Sequence, residues 1–253
     1  MPLLDHFHPP LATFCPWSSF HGNWVVKMVD RLNATHLERR KYTAQSGRHF
    51  GAQIQADVAT LERNERGSLF EGLNGSGGGV ATAAPVFTAP ATSLSAAVGF
   101  TDPDLFEVKV YRGSGGWELV AAIELVSEAN KDRDENRHTF AVKCGSYLQK
   151  GISVVVVDTV TNRRSDLHDE LCDLIDGANA LRWSSPTGLS AMVYRATRGV
   201  GSTGPSLALD VAAYQLGVGF ELPTVPLWLG RERVVPLELE LTYAQACASL
   251  QLD

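Results

Sequence analysis

Apolar residues recur at three- and four-residue steps from Trp17 to Leu37: Trp17, Phe20, Trp24, Val25, Met28, Val29 and Leu32. That period predicts an amphipathic helix with a large aromatic face, entered after Pro16 with Ser18 or Ser19 as its cap. The period then shortens to two. Tyr42 to Ala44 and Gln53 to Leu61 read as short strands, the second alternating Ile54, Ala56, Val58 and Thr60 with Gln55, Asp57, Ala59 and Leu61. Leu105 to Arg112 and Trp117 to Val126 are β-rich runs joined by Gly-Ser-Gly-Gly, a hairpin signal. The run ELVAAIELVS is nearly continuous in its apolar character, as a buried central strand should be. SEANKDRDEN breaks the pattern, and a helix is predicted from about Asn136 to Lys150, with Phe140, Cys144, Tyr147 and Leu148 on one face and Gly151 as its stop. ISVVVVD is a buried, β-branched strand ending in Asp158.

Beyond it, a helix is predicted over Asp166 to Ile175 and a strand over Ser190 to Ala196. The final third reads as a proline-punctuated extended segment, a short strand and a terminal helix, with Pro223, Pro226 and Pro236 keeping much of it at an edge or on the surface. Hairpin, crossing helix and buried strand together predict a mixed α/β domain. Periodicity lapses between Gly67 and Phe100, where seven glycines, Ala, Thr, Ser and Pro surround GSGGG and Glu71 is the single charge. A Gly/Ala/Ser-rich insertion at about 64–103 is expected there, flexible or loosely extended. The ordered patterns on either side favour a single domain over residues 1–253, with a C-terminal extension from about residue 160.

Composition narrows this little. With 253 residues, 44% of them hydrophobic and 20% charged, the chain can bury a sizeable core without staples. The net charge of −6 disfavours a nucleic-acid coat or a membrane-surface binder. Cys15, Cys144, Cys172 and Cys247 show no CxxC spacing, so reduced thiols are expected rather than a zinc site or disulfides. MPLLDHFHPP lacks the basic and apolar regions of a secretory signal, and no apolar run approaches a membrane span. A soluble, cytoplasmic protein is the expectation.

Candidate chemistry rests on acids within strands. Asp57 lies mid-strand, and Glu124 interrupts the most apolar stretch of the hairpin. A carboxylate in a buried strand must be paired, protonated or metal-bound, and hard oxygen ligands suit Mg²⁺ or Mn²⁺. The competing reading is a carboxylate solvated at a strand end or paired with an arginine. Glu107 and Lys109 form a Glu-x-Lys on the preceding strand, a spacing that alternating charges on a solvent face also produce. Lys131 and Lys143 each read either as an ammonium that reaches a phosphate or as a surface charge. The histidines form no metal box, and His168, between two aspartates, reads as a turn or cap residue. GSGGG lacks the lysine and the preceding strand of a phosphate loop.

The stretch IELVSEANKDRDENRHTFAVKCGSYLQKGISVVVVD resembles the core of a bacterial protein family of unknown function with the pattern I-E-x-x-S-P-x-N-K, a helix, and an apolar strand ending in Asp. WSSFHGNW, ADVAT, AMVYRATR and LPTVPLWL…VVPLELELTY are similar to that family's other segments, so the likeness runs along most of the chain. The family is similar to the Uma2 proteins, whose Lys-x-x-x-Tyr-x-x-x-Gly helix is matched by Lys143, Tyr147 and Gly151. Both resemble the PD-(D/E)XK, or restriction-endonuclease-like, superfamily. The resemblance implies a mixed sheet flanked by helices, an αβββαβ core, with a C-terminal strand and helix extension. It implies Asp57 and Glu124 as ligands of Mg²⁺ or Mn²⁺, with Glu107 the alternative acid. Lys143 would be the catalytic lysine, moved from strand to helix, or Lys131 in its place. It implies metal-dependent phosphodiester hydrolysis with nucleic acid as partner; a non-catalytic binding or scaffold protein on the same fold is the alternative, and a homodimer is compatible with either. Ala56 and Glu128 stand where the family has proline, and Val126 stands where Glu-x-Lys would place its lysine.

Overall fold

A computed structural model describes residues 1–38, 41–46, 58–63, 88, 90, 94–100, 117–176, 178–201, 204–230 and 233–252. Asp57, Glu107, Lys109 and the strand expected over Leu105 to Arg112 lie outside these residues.

After a short helix α1 (Leu11–Phe14), Pro16 opens the long α2 (Trp17–Arg31). The cap expected at Ser18 or Ser19 is Pro16 itself. Its ring fixes the extended entry, and its carbonyl accepts from the Ser19 and Phe20 N–H groups. Trp17, Phe20, Trp24, Val25 and Met28 are buried, as the period predicts. The α-helix stops at Arg31 rather than Leu37. Leu32–His36 form one wider π turn, closed by the Leu37 N–H on the Leu32 carbonyl at 2.9 Å. That turn aims Asn33 at the first strand, where its amide exchanges two hydrogen bonds of 2.8 and 2.9 Å with the backbone of Ala44.

The strands are β1 (Tyr42–Ser46), β2 (Val58–Arg63), β3 (Leu94–Phe100), β4 (Trp117–Leu125), β5 (Ser153–Asp158), β6 (Ile175–Asp176), β7 (Ser190–Gly201) and β8 (Gly204–Gln215). They form one mixed sheet in the order β1-β2-β4-β5-β7-β8-β3-β6, in which β4 and β5 are the parallel pair. Parallel neighbours need a crossover, supplied by α3 (Glu128–Asp132) and α4 (Asp134–Gln149). β9 (Thr224–Leu229) and β10 (Arg233–Glu238) make a separate antiparallel ribbon, and α6 (Leu239–Ser249) follows it.

Two elements depart from the expected pattern. Leu94–Phe100, assigned to the insertion, is β3 and pairs with β8 from Leu94↔Val211 to Val98↔Leu207. Its small residues carry no period of their own, so a distant partner fixes its conformation. SEANK, read as a break, holds α3. The Ser127 N–H and Oγ–H both reach Asn130 Oδ1, at 2.8 and 2.9 Å, and fasten the helix start. The helix stop at Gly151 is as expected. Gly151 has φ +78°, its N–H bonds the Leu148 carbonyl, and the Ile152 N–H bonds that of Tyr147.

Strand alternation sorts the layers. On β7, Tyr194 faces α5 (Leu167–Leu174), where it meets His168. Arg195 faces the other way and stacks on Trp228 of β9, 3.8 Å from its ring centroid. Helices α4 and α5 therefore cover one face of the sheet, and the β9–β10 ribbon covers the other. On the ribbon side, α2 and α6 pack together, with the Trp24 indole N–H donating to Thr242 at 3.1 Å. The molecule is thus a mixed α/β fold whose mixed sheet is flanked by helices. No helix among the described residues is long and apolar enough to cross a membrane.

Candidate functional site

β4 and β5 run side by side, and both end at the same edge of the sheet. Glu124 is the penultimate residue of β4 and sits in register with Val156 of β5. Asp158, two residues beyond Val156, closes β5 on the same face. Each acid meets one lysine from the crossover above it.

Glu124 is 2% exposed, and the Lys143 ammonium lies 2.7 Å from its Oε2. Helix α4 is held against the sheet by Phe140, Ala141, Cys144, Tyr147 and Leu148, all buried. Lys143 rides at the margin of that face, with 21% of its side chain exposed, beside the Phe140 ring. A carboxylate this buried depends on such a partner, since desolvation of an unpaired one would cost several kcal/mol, on the order of the penalty for a single buried ion. The Lys143 side chain reaches the acid while remaining partly exposed.

Lys131 differs. Its side chain is fully buried and bonds Asp158 Oδ2 at 2.7 Å, while the Val160 N–H donates to Asp158 Oδ1 at 3.1 Å. It is buried against Asp158, which corrects the reading of Lys131 as a surface charge. Its side chain runs from α3 to Asp158 at the end of β5 and is enclosed along the way. Burial pushes the Asp158 carboxyl up to about 6, against the pull of the Lys131 ammonium and the Val160 N–H.

On the same face, α4, α5, β5 and β7 enclose a small pocket lined by Asp158, Asp166, His168, Ser190 and Tyr194 among apolar neighbours. Its polar centre was missed in the sequence. The cap of α5 is Asp166, whose Oδ1 accepts from the His168 and Asp169 N–H groups, and the His168 ring turns inward. His168 Nε2 donates to the Leu181 carbonyl at 2.8 Å, which leaves Nδ1 to accept from the Tyr194 hydroxyl at 2.9 Å. Cys172 lies 3.7 Å from the ring, and burial pushes its thiol up to about 12, so it stays protonated and unreactive. The periodic burial of DLHDEL, with Leu167 and Leu171 flanking His168 on one helix face, is the signal that could have placed this histidine inside. All four cysteines are free and buried.

Of the acids expected to hold a metal, Glu124 is the one within the described residues. The Glu124 carboxylate is the hard oxygen donor that Mg²⁺ or Mn²⁺ takes, at the edge of the sheet beside an ammonium. The described residues contain no group of three or more His, Cys, Asp or Glu side chains able to hold a metal. Asp158 is committed to Lys131, while Asp57 and Glu107 lie outside the described residues. The described donors alone therefore do not make a metal centre. No protein-family model, curated protein or solved structure matches the chain.

Proposed function

We propose that the protein is a restriction-endonuclease-like, PD-(D/E)XK-type hydrolase of phosphodiesters, acting on nucleic acid with Mg²⁺ or Mn²⁺. Asp57 and Glu124 are its metal-binding acids and Lys143 its catalytic lysine. The observation that carries the reading is the contact of 2.7 Å between Glu124, on a central strand, and the partly exposed Lys143 on the crossover helix. The sequence places no lysine two residues after Glu124, where Val126 stands, yet an ammonium reaches the same carboxylate from α4. Strand order adds support: β2 lies antiparallel beside β4, and Val58, which follows Asp57 in the chain, pairs with Ile123, which precedes Glu124. In this reading Asp57 and Glu124 would hold the cation, which would supply Lewis-acid activation of the phosphate and of a water. Lys143 then stabilises the charge that grows on the phosphate oxygens. Four buried free thiols fit a reducing, cytoplasmic setting.

The alternative is a non-catalytic scaffold on the same core, and the near-complete burial of Glu124 favours it. Cleavage of single- and double-stranded DNA and RNA, with Mg²⁺ or Mn²⁺ and with chelator, separates the two. The hydrolase reading expects metal-dependent cleavage that falls by about 10²-fold or more in Asp57→Ala, Glu124→Ala and Lys143→Ala. Cleavage absent from the wild type, or unchanged in the three variants, would overturn it in favour of the scaffold.

A further inference from the structure

The segment 1–16 is a strap tied to the rest of the molecule by several contacts. Leu3 exchanges backbone hydrogen bonds of 2.8 and 2.9 Å with Gly219 and Phe220. Asp5 Oδ1 accepts from the Thr161 hydroxyl at 2.6 Å, in the loop that follows β5. Next to the second tie, the His6 ring is driven into the seam between α2 and α6. It lies 3.9 Å from the Phe20 ring centroid, with Trp17 and Tyr243 around it, and is 2% exposed.

One ring nitrogen is satisfied. His6 Nε2 and the Tyr243 hydroxyl are 2.8 Å apart, and the same hydroxyl accepts from the Leu4 N–H at 2.9 Å. The other, Nδ1, is buried with no hydrogen-bond partner among the described residues. A neutral imidazole tolerates this, but an imidazolium carries N–H donors on both nitrogens and a charge that must be solvated. The face of Phe20 offers a cation–π attraction, which gives Nδ1 no acceptor. We propose that His6 is an acid-sensitive anchor, and that protonation of its ring releases the strap from α2, α6 and the loop after β5.

The groups around the ring support this assignment. On the strap, Asp5 is the charged neighbour, already engaged by Thr161, the Phe7 N–H and His8. From α2 the ring meets Trp17 and Phe20, and His21 lies against Trp17. From α6 it meets Tyr243. Burial raises the Tyr243 and Cys247 pKa values, so both stay neutral in acid, and Glu240 is held by the Met1 amino group and the Leu222 N–H. Burial pushes the His6 ring down to about 4, so lowering the pH below the ordinary histidine value of 6.5 favours the undocked strap.

The test is amide hydrogen exchange on the full chain, corrected for intrinsic rates. Between about pH 7 and about pH 4.5, protection in residues 1–16 is expected to fall on the order of fifty-fold, while the β5 amides stay protected. In His6→Phe, which keeps the stacking and removes the titration, the fall is expected to be less than about threefold. Strap protection that does not change with pH would overturn the proposal. So would an equal loss in His6→Phe, which would assign the effect to His8 or His21, or an equal loss in β5, which would make it global unfolding. An NMR titration of the His6 ring in the wild type decides the matter even if His6→Phe does not fold: a midpoint near the ordinary value or above refutes it.

Discussion

Lys131 and Lys143 are twelve residues apart in the sequence, each against a carboxylate at 2.7 Å, yet their surroundings give them different work. Lys131 is sealed in and acts on the fold. Replacing it with methionine leaves Asp158 buried without its counter-charge and is expected to cost about 3 kcal/mol of stability at about pH 8. A carboxyl whose folded pKa is raised favours the fold while it is protonated, below its ordinary 3.8, and loses that contribution as the pH rises through about 6. In Lys131→Met the carboxyl can escape the missing charge by taking up a proton. The deficit should therefore be smaller at about pH 5 than at about pH 8 when both proteins are unfolded in urea. Equal deficits at the two pH values would show that Asp158 stays ionised in the variant. Lys143 keeps part of its side chain exposed, but Glu124 beneath it is buried, so replacing Lys143 should lower stability as well as any activity.

At the level of elements, a tight turn joins α4, which carries Lys143, to β5, which ends in Asp158. Gly151 stands there at φ +78°, with open space where a Cβ would sit. Gly151→Ala should therefore destabilise through the left-handed backbone alone, by about 1 kcal/mol in thermal or urea unfolding, with no cavity or clash to repair. A neutral or stabilising effect would mean that the turn relaxes out of that conformation. This stop was legible in the sequence, as were β5, from its unbroken valines, and α2, from the spacing of its aromatic residues. β3 and β8 were not. Leu94–Phe100 offers mostly small residues, and Gly204–Gln215 follows a glycine-rich stretch. Each becomes a strand because the other lies beside it, and long-range pairing leaves no local period to read. The site divides in the same way. Glu124 stood out as a charge within an apolar run, whereas the inward turn of His168 and the enclosure of Lys131 depend on which elements pack over them.

For the whole molecule, a single mixed sheet carries both parallel strand ends and both acids to one edge, with helices on one face and the β9–β10 ribbon on the other. The net charge of −6 gives no general attraction for a polyanion. Any hold on a phosphodiester must then come from a bound cation and from local ammonium groups at that edge, of which Lys143 is the one that touches Glu124. Metal binding is accordingly the property on which the functional reading depends. The most direct test is isothermal titration of Mn²⁺ into the full chain and into Glu124→Gln, which keeps the shape of the side chain and removes its charge. The account predicts measurable binding heat in the wild type and its loss in Glu124→Gln, with both proteins folded by circular dichroism. No heat in the wild type, or the same isotherm for the two proteins, would contradict it.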